Sequence, residues 1–145
     1  MYVRELVVSY RRQQILVASE NRSVSTPREA ASVFESIMGE EAVEVFGILC
    51  LTTKQRLIAY HQISRGGIDC TVVSPREVFQ MALLSHAATI VVGHNHPSGD
   101  PMPSPDDIAL TTRVCQAGQI LGVDVIDHVI VGDDRYYSFK EGGRI

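Results

Sequence analysis

The sequence predicts an α/β fold in which a mixed β-sheet is sandwiched by helices. Apolar runs of strand length recur at 43–51, 87–92 and 123–131, as buried strands require. Between them, three segments carry the same helix-opening formula: Thr26-Pro27-Arg28-Glu29, Ser74-Pro75-Arg76-Glu77 and Ser104-Pro105-Asp106-Asp107. Each places a capping hydroxyl, a proline at the first helical position and an acid at the third. Hairpin-length turns sit beside helical crossovers, so the sheet should hold both antiparallel and parallel neighbours.

In chain order, residues 3–8 and 14–18 read as short strands around the basic turn Arg11-Arg12-Gln13. Residues 1–25 thus lead into one domain covering 1–145. The first helix puts Ala30, Val33, Phe34 and Ile37 on one face, and Gly39 stops it. In 43–51, Val45, Phe46, Ile48, Leu49 and Leu51 are apolar almost without alternation, which suits a central strand covered on both sides. A Thr-Lys-Gln-Arg turn leads to a strand at 57–64, which Gly66-Gly67 ends. The second helix turns Val78, Phe79, Ala82 and Leu83 inward; the third spans 105–121 with Leu110, Val114, Ala117 and Leu121 as its stripe and Gly122 as its stop. Strand 123–131, the turn Gly132-Asp133-Asp134-Arg135 and a short strand from 136 to 139 complete the order.

Composition narrows the function classes. At 145 residues, with 45% hydrophobic and 21% charged positions, the chain is ordinary globular material able to build a core without staples. A formal charge of −4 argues against strong nucleic-acid binding by this chain. Cys50, Cys70 and Cys115 are odd in number and far apart, without a C-x-x-C pair. They read as small hydrophobes in a reducing compartment rather than as a disulfide frame. Arg4, Glu5, Arg11 and Arg12 interrupt any signal-peptide core, and no apolar run approaches membrane-spanning length. A cytoplasmic location without a membrane partner is the expectation.

The chemistry gathers in the stretch after residue 92. If strand geometry persists through Gly93-His94-Asn95-His96, both imidazoles project to one face and Asn95 turns away. A Gly/Pro-rich loop at 97–103 then returns the chain to the helix start at Ser104. Two imidazoles and a returning carboxylate, Asp107, make a three-ligand zinc site whose fourth position stays open for water, the catalytic pattern. Taken singly, each residue has an ordinary reading. A lone histidine is more often a satisfied polar group, and Ser104 with Asp107 could simply be a capping box. One contrast favours the ligand. The acid is Glu at the first two helix starts and Asp at the third, where the shorter side chain should close the box less well.

The spacing His94-x-His96, seven residues, then Ser104-x-x-Asp107 resembles the JAMM (MPN+) metalloprotease motif. The wording His94-Asn95-His96-Pro97-Ser98-Gly99 is similar to the RadC-like branch of that superfamily, as are Ser74-Pro75-Arg76-Glu77-Val78-Phe79 and Asp127-His128-Val129-Ile130-Val131-Gly132. The resemblance covers roughly residues 26 to 140. It implies an MPN/JAB-type, cytidine-deaminase-like fold, with zinc held by His94, His96 and Asp107. It further implies hydrolysis of a peptide or isopeptide bond in a protein or peptide substrate. Glu44-Val45-Phe46-Gly47-Ile48-Leu49 resembles the JAMM strand that begins with the catalytic glutamate. That makes Glu44 the general acid/base acting on a zinc-bound water, ahead of Glu40 and Glu41. In the same pattern Ser104 hydrogen-bonds the oxyanion. RadC-like proteins often carry an N-terminal helix-hairpin-helix region; this chain is expected to lack one, so a DNA role resting on it is not expected.

Other readings stand beside this one: a DNA-repair accessory protein, and a metal-binding interaction module without catalysis. A second copy of the chain is a further candidate partner. The basic turns Arg11-Arg12 and Lys54-Gln55-Arg56 could touch phosphate, but such turns are commonly just solvated. A zinc deaminase would need H-x-E and P-C-x-x-C, which the chain does not contain. His128 beside Asp127 reads either as a pair orienting a ligand or as a core histidine; His61 and His86 show no partner.

Overall fold

A computed structural model describes residues 1–12, 22–66 and 73–145. The elements run α1 (Pro27–Met38), β1 (Glu44–Leu51), β2 (Leu57–Gly66), α2 (Pro75–Leu84), β3 (Thr89–Asn95), α3 (Pro105–Leu121), β4 (Asp124–Val131) and β5 (Tyr136–Ser138). The strands form one five-stranded sheet in the order β2-β1-β3-β4-β5. β1 is antiparallel to β2 and β3, β3 is parallel to β4, and β4 is antiparallel to β5. The sheet is therefore mixed, with β3–α3–β4 as its parallel crossover.

Strands β1 and β3 are buried along almost their whole length, because each face of the sheet carries its own core. On one face, Phe46, Ile48, Cys50, Ile90 and Val92 meet Val78, Phe79 and Ala82 of α2 and Leu110 and Val114 of α3. On the other, Val45, Leu49, Leu51, Val91 and Val129 meet Ala30, Val33, Phe34 and Met38 of α1. Near-continuous hydrophobicity in 43–51 is the consequence of this two-sided burial. Gly93 shows how closely the α1 side is packed: a Cβ there would collide with the Phe34 ring. The bare backbone lets Phe34 press against β3 one residue before His94.

Several expectations are corrected. Residues 3–8 form no strand; Val3, Leu6 and Val7 are 86%, 75% and 80% exposed. A β-favouring pattern needs a ladder partner and a face to cover, and this segment has neither among the described residues. Just beyond it, the Tyr10 hydroxyl donates to the Ser85 carbonyl at 3.1 Å. The expected strand 14–18 and Cys70 lie outside the described residues. Leu83 and Leu121 face solvent rather than the core. On α3 the inward stripe is Asp107, Leu110, Thr111, Val114 and Gly118, so the helix is rotated toward the face that carries the acid. Gly122 ends α3 in the left-handed conformation, φ 72°, whereas Gly39 ends α1 with a right-handed φ of −62°. Among the described residues, no helix is long and apolar enough to cross a membrane.

Candidate metal centre

Strand geometry does carry His94 and Asn95 to the end of β3, and His96 follows with its N–H donating to the Val131 carbonyl at 2.9 Å. Both imidazoles reach the α3 side of the sheet, where Asp107 arrives from the first turn of α3. His94 Nε2 and His96 Nε2 are 3.0 Å apart, and each lies 3.3 Å from one carboxylate oxygen of Asp107. Metal–ligand bonds of about 2.0–2.2 Å in a tetrahedron put neighbouring ligand atoms about 3.3–3.6 Å apart. The two imidazole nitrogens and the carboxylate are therefore gathered on about that scale, each imidazole facing a different oxygen of Asp107. Among the described residues they are the one group of three or more His, Cys, Asp or Glu side chains gathered this way.

The other ring nitrogens explain why these three point inward. His96 Nδ1 donates to the Asp100 carbonyl at 2.7 Å, supplied by the Gly/Pro-rich loop. His94 Nδ1 meets His128 Nε2 at 2.9 Å, and His128 Nδ1 meets the Thr111 hydroxyl at 2.6 Å. Ring contacts hold these planes: Phe46 stacks on His94 at 6.0 Å and Phe139 on His128 at 4.5 Å. With each Nδ1 committed elsewhere, the two Nε2 atoms and a carboxylate converge on one point, and a deprotonated Nε2 can offer its lone pair to a metal. That arrangement calls for a cation, so the residues fit a metal.

Titration tendencies agree. Burial alone would raise the Asp107 carboxyl, but the His94 and His96 imidazoles beside it and the Ser104 N–H hold it far below the usual carboxylate range. The His96 imidazole is pushed up, chiefly by its hydrogen bond to Asp107, against burial and with help from the Asp100 carbonyl and the charges of Asp107 and Glu44. Burial drives His128 well below its ordinary value, so it is neutral.

The Ser104 hydroxyl accepts from the Asp107 N–H at 3.1 Å, while Asp107 Oδ2 accepts from the Ser104 N–H at 2.8 Å. The expected weakness of the third capping box is thus corrected: α1 and α3 close their boxes reciprocally, and α2 is recorded only with Ser74 accepting from Glu77. A carboxylate has lone pairs enough to cap with one edge and face the imidazoles with the rest. Ser104 is exposed, and its hydroxyl keeps a hydrogen to donate while its oxygen caps.

Glu44 opens β1, half-buried and outside the ligand group. Phe46 pairs with His94, so Glu44 shares the sheet face of the imidazoles and its charge is felt at His96. Glu40 is exposed and Glu41 is paired with Arg65 at 2.7 Å. Asn95 does turn away from the histidines. Its side chain accepts from the Val45 N–H at 2.7 Å and donates to the Val43 carbonyl at 3.0 Å, gripping the backbone on both sides of Glu44. Sequence reasoning missed that clamp, and it missed Thr111 altogether. The signal for Thr111 was its place one helical turn after Asp107.

His128 combines the two alternatives offered for it: it is fully buried, and its ring meets a candidate ligand, His94, without help from the Asp127 side chain. Asp127 accepts from the backbone N–H of His128 at 2.7 Å and from the Ser138 hydroxyl at 2.6 Å, leaving the His128 ring to Thr111 and His94. His61, which showed no partner in sequence, bonds the Ser85 hydroxyl at 2.6 Å. Cys50 is buried, its thiol pushed up to about 11 by desolvation, so it behaves as a hydrophobe.

Comparison with known proteins gives the site a context. The chain matches the RadC-like JAB domain family over residues 24–144. It is 40% identical over 133 residues to a UPF0758 protein of Methanosarcina barkeri, covering 92% of this chain and 58% of that protein. It is 42% identical over 133 residues to a UPF0758 protein of Caldanaerobacter subterraneus, covering 92% and 57%. A UPF0758 protein of Desulforudis audaxviator is 45% identical over 121 residues, covering 83% of this chain and 53% of that one. The chain spans little more than half the length of these curated relatives.

Proposed function

This chain belongs to the RadC-like JAB domain family, and from that premise we propose that it is a zinc-dependent hydrolase of the JAMM type, cleaving a peptide or isopeptide bond. The observation that carries the reading is the convergence of His94 Nε2, His96 Nε2 and the Asp107 carboxylate within 4.8 Å of one another, with a glutamate outside that group on the same face. Three protein ligands and an open fourth position are the catalytic rather than the structural arrangement. A zinc ion held there by His94, His96 and Asp107 would supply Lewis acidity to activate water and polarise the scissile carbonyl.

The chain's own residues do the rest. Glu44 takes a proton from the attacking water as its oxygen bonds to the carbonyl carbon. It returns that proton to the leaving nitrogen as the C–N bond breaks. The exposed Ser104 hydroxyl donates to the oxyanion of the tetrahedral intermediate while its oxygen still caps α3. Asn95 holds the backbone of residues 43 and 45, which fixes where Glu44 starts.

Glu44→Gln tests the assignment because it keeps shape and loses the proton acceptor. Zinc content should be unchanged and turnover should fall roughly 10²–10⁴-fold on a substrate found from a peptide and isopeptide library. Equal turnover by both proteins overturns the role; loss of zinc would make Glu44 a ligand.

A further inference from the structure

We propose that His128, held by Thr111, is a positioning residue that fixes the tautomer of His94 and so keeps His94 Nε2 free to bind a metal. The inference rests on the metal-site reading above but not on catalysis. Its argument is a count of protons along one chain of hydrogen bonds. The Thr111 hydroxyl has a single hydrogen and donates it to the Asp107 carbonyl at 2.6 Å. Its oxygen can therefore only accept from His128 Nδ1, 2.6 Å away, which makes Nδ1 the protonated nitrogen of that ring. In the neutral imidazole Nε2 is then a bare acceptor. It faces His94 Nδ1 at 2.9 Å, so the hydrogen in that contact belongs to His94. A His94 protonated at Nδ1 has its Nε2 lone pair directed at His96 and Asp107.

The direction of every bond is thus set by one helix-backbone carbonyl. Metal-binding histidines usually donate their second N–H to a carboxylate, a carbonyl or water. His96 follows that rule through Asp100, whereas His94 relies on a second, fully buried histidine. The dependence is unusual because an imidazole can reverse its tautomer. Thr111 is the partner of His128 Nδ1 among the described residues; without its oxygen the ring is free to reverse and present an N–H to His94. His94 would then carry its own hydrogen on Nε2, where no metal can bind. Thr111 also lies one turn from Asp107 on α3, so the helix that supplies one ligand sets the protonation of another.

The test compares Thr111→Val, which keeps the shape and removes the hydroxyl, with Thr111→Ser, which keeps the oxygen. Zinc affinity is measured by competition with a chromophoric chelator, and the His94 and His128 tautomers by ¹⁵N chemical shifts. Thr111→Val should weaken zinc roughly 10–100-fold, the scale of lost outer-shell support, and shift the His94 hydrogen toward Nε2. Thr111→Ser should restore both readouts. Two results overturn the proposal: wild-type zinc affinity in a folded Thr111→Val protein, or a wild-type His94 that carries its hydrogen on Nε2. A protein that binds zinc tightly but cleaves no amide would sink the hydrolase reading while leaving this one standing.

Discussion

Helices α1 and α3 begin with the same device, and only one of them makes a site. At α1, Thr26 accepts from the Glu29 N–H, and the Glu29 carboxylate accepts from the N–H groups of Ser25 at 2.6 Å and Thr26 at 3.0 Å. At α3, Ser104 and Asp107 close the same box, at 2.8 Å and 3.1 Å. The difference is what stands opposite. Glu29 commits one oxygen to two backbone amides at an exposed helix end, while Asp107 is 5% exposed and faces two imidazoles. A ligand can therefore be a fully satisfied cap. What makes the α3 cap a candidate metal ligand is the strand end that places His94 and His96 beyond it.

The largest test of that contrast removes each acid. Asp107→Ala should weaken zinc binding by more than the roughly 10–100-fold that outer-shell partners are worth, while Glu29→Ala should leave zinc unchanged and cost about 1 kcal/mol in a denaturant melt. Removing the hydroxyls sharpens the point. Ser104→Ala and Thr26→Ala should each cost about 1 kcal/mol of stability. Only Ser104→Ala should also lower kcat, by roughly 10²–10³-fold as for a lost oxyanion donor. Asp107→Glu writes the α1 formula into α3. The box can still close, but the carboxylate is displaced, and a misplacement of this kind costs about 10²-fold in turnover. Unchanged activity would mean that the residue type at this position is not what distinguishes the two caps.

The smallest expected effect is in pH. In metal-free protein His96 is raised, so its stabilisation is complete below its unfolded pKa of about 6.5 and is lost as pH rises through the folded value. Asp107 is depressed, so its contribution is complete above about 3.9 and is lost as pH falls through its folded value. Zinc must displace the His96 proton. The rise in Tm on adding zinc should therefore grow between about pH 6 and pH 8, by a few degrees at about 2–4 °C per kcal/mol. The Tm of Glu29→Ala protein should respond to zinc identically.

Much of the fold was legible because its signals are local. β1 and the three helix starts follow from apolar runs and from Ser/Thr-Pro-x-acid formulas, and the structure has each of them at the expected place. The segment 3–8 misled because β-favouring residues record a preference and not a partner. Leu83 and Leu121 misled because a helical stripe fixes a face only to within one residue per turn, and α3 turned its acid and Thr111 inward instead. At the site, the grouping of His94, His96 and Asp107 could be read from spacing. Their support could not: Asn95 reaching across to 43 and 45, and the run from Thr111 through His128 to His94, join residues 17 to 52 apart in sequence.

The central claim is that this constellation holds one metal ion, and anomalous scattering from zinc-soaked crystals tests it most directly. The account predicts a single strong peak per chain, within about 2.0–2.2 Å of His94 Nε2, His96 Nε2 and an Asp107 oxygen, that disappears in Asp107→Ala protein. A peak elsewhere, or none at these donors at saturating zinc, would contradict it.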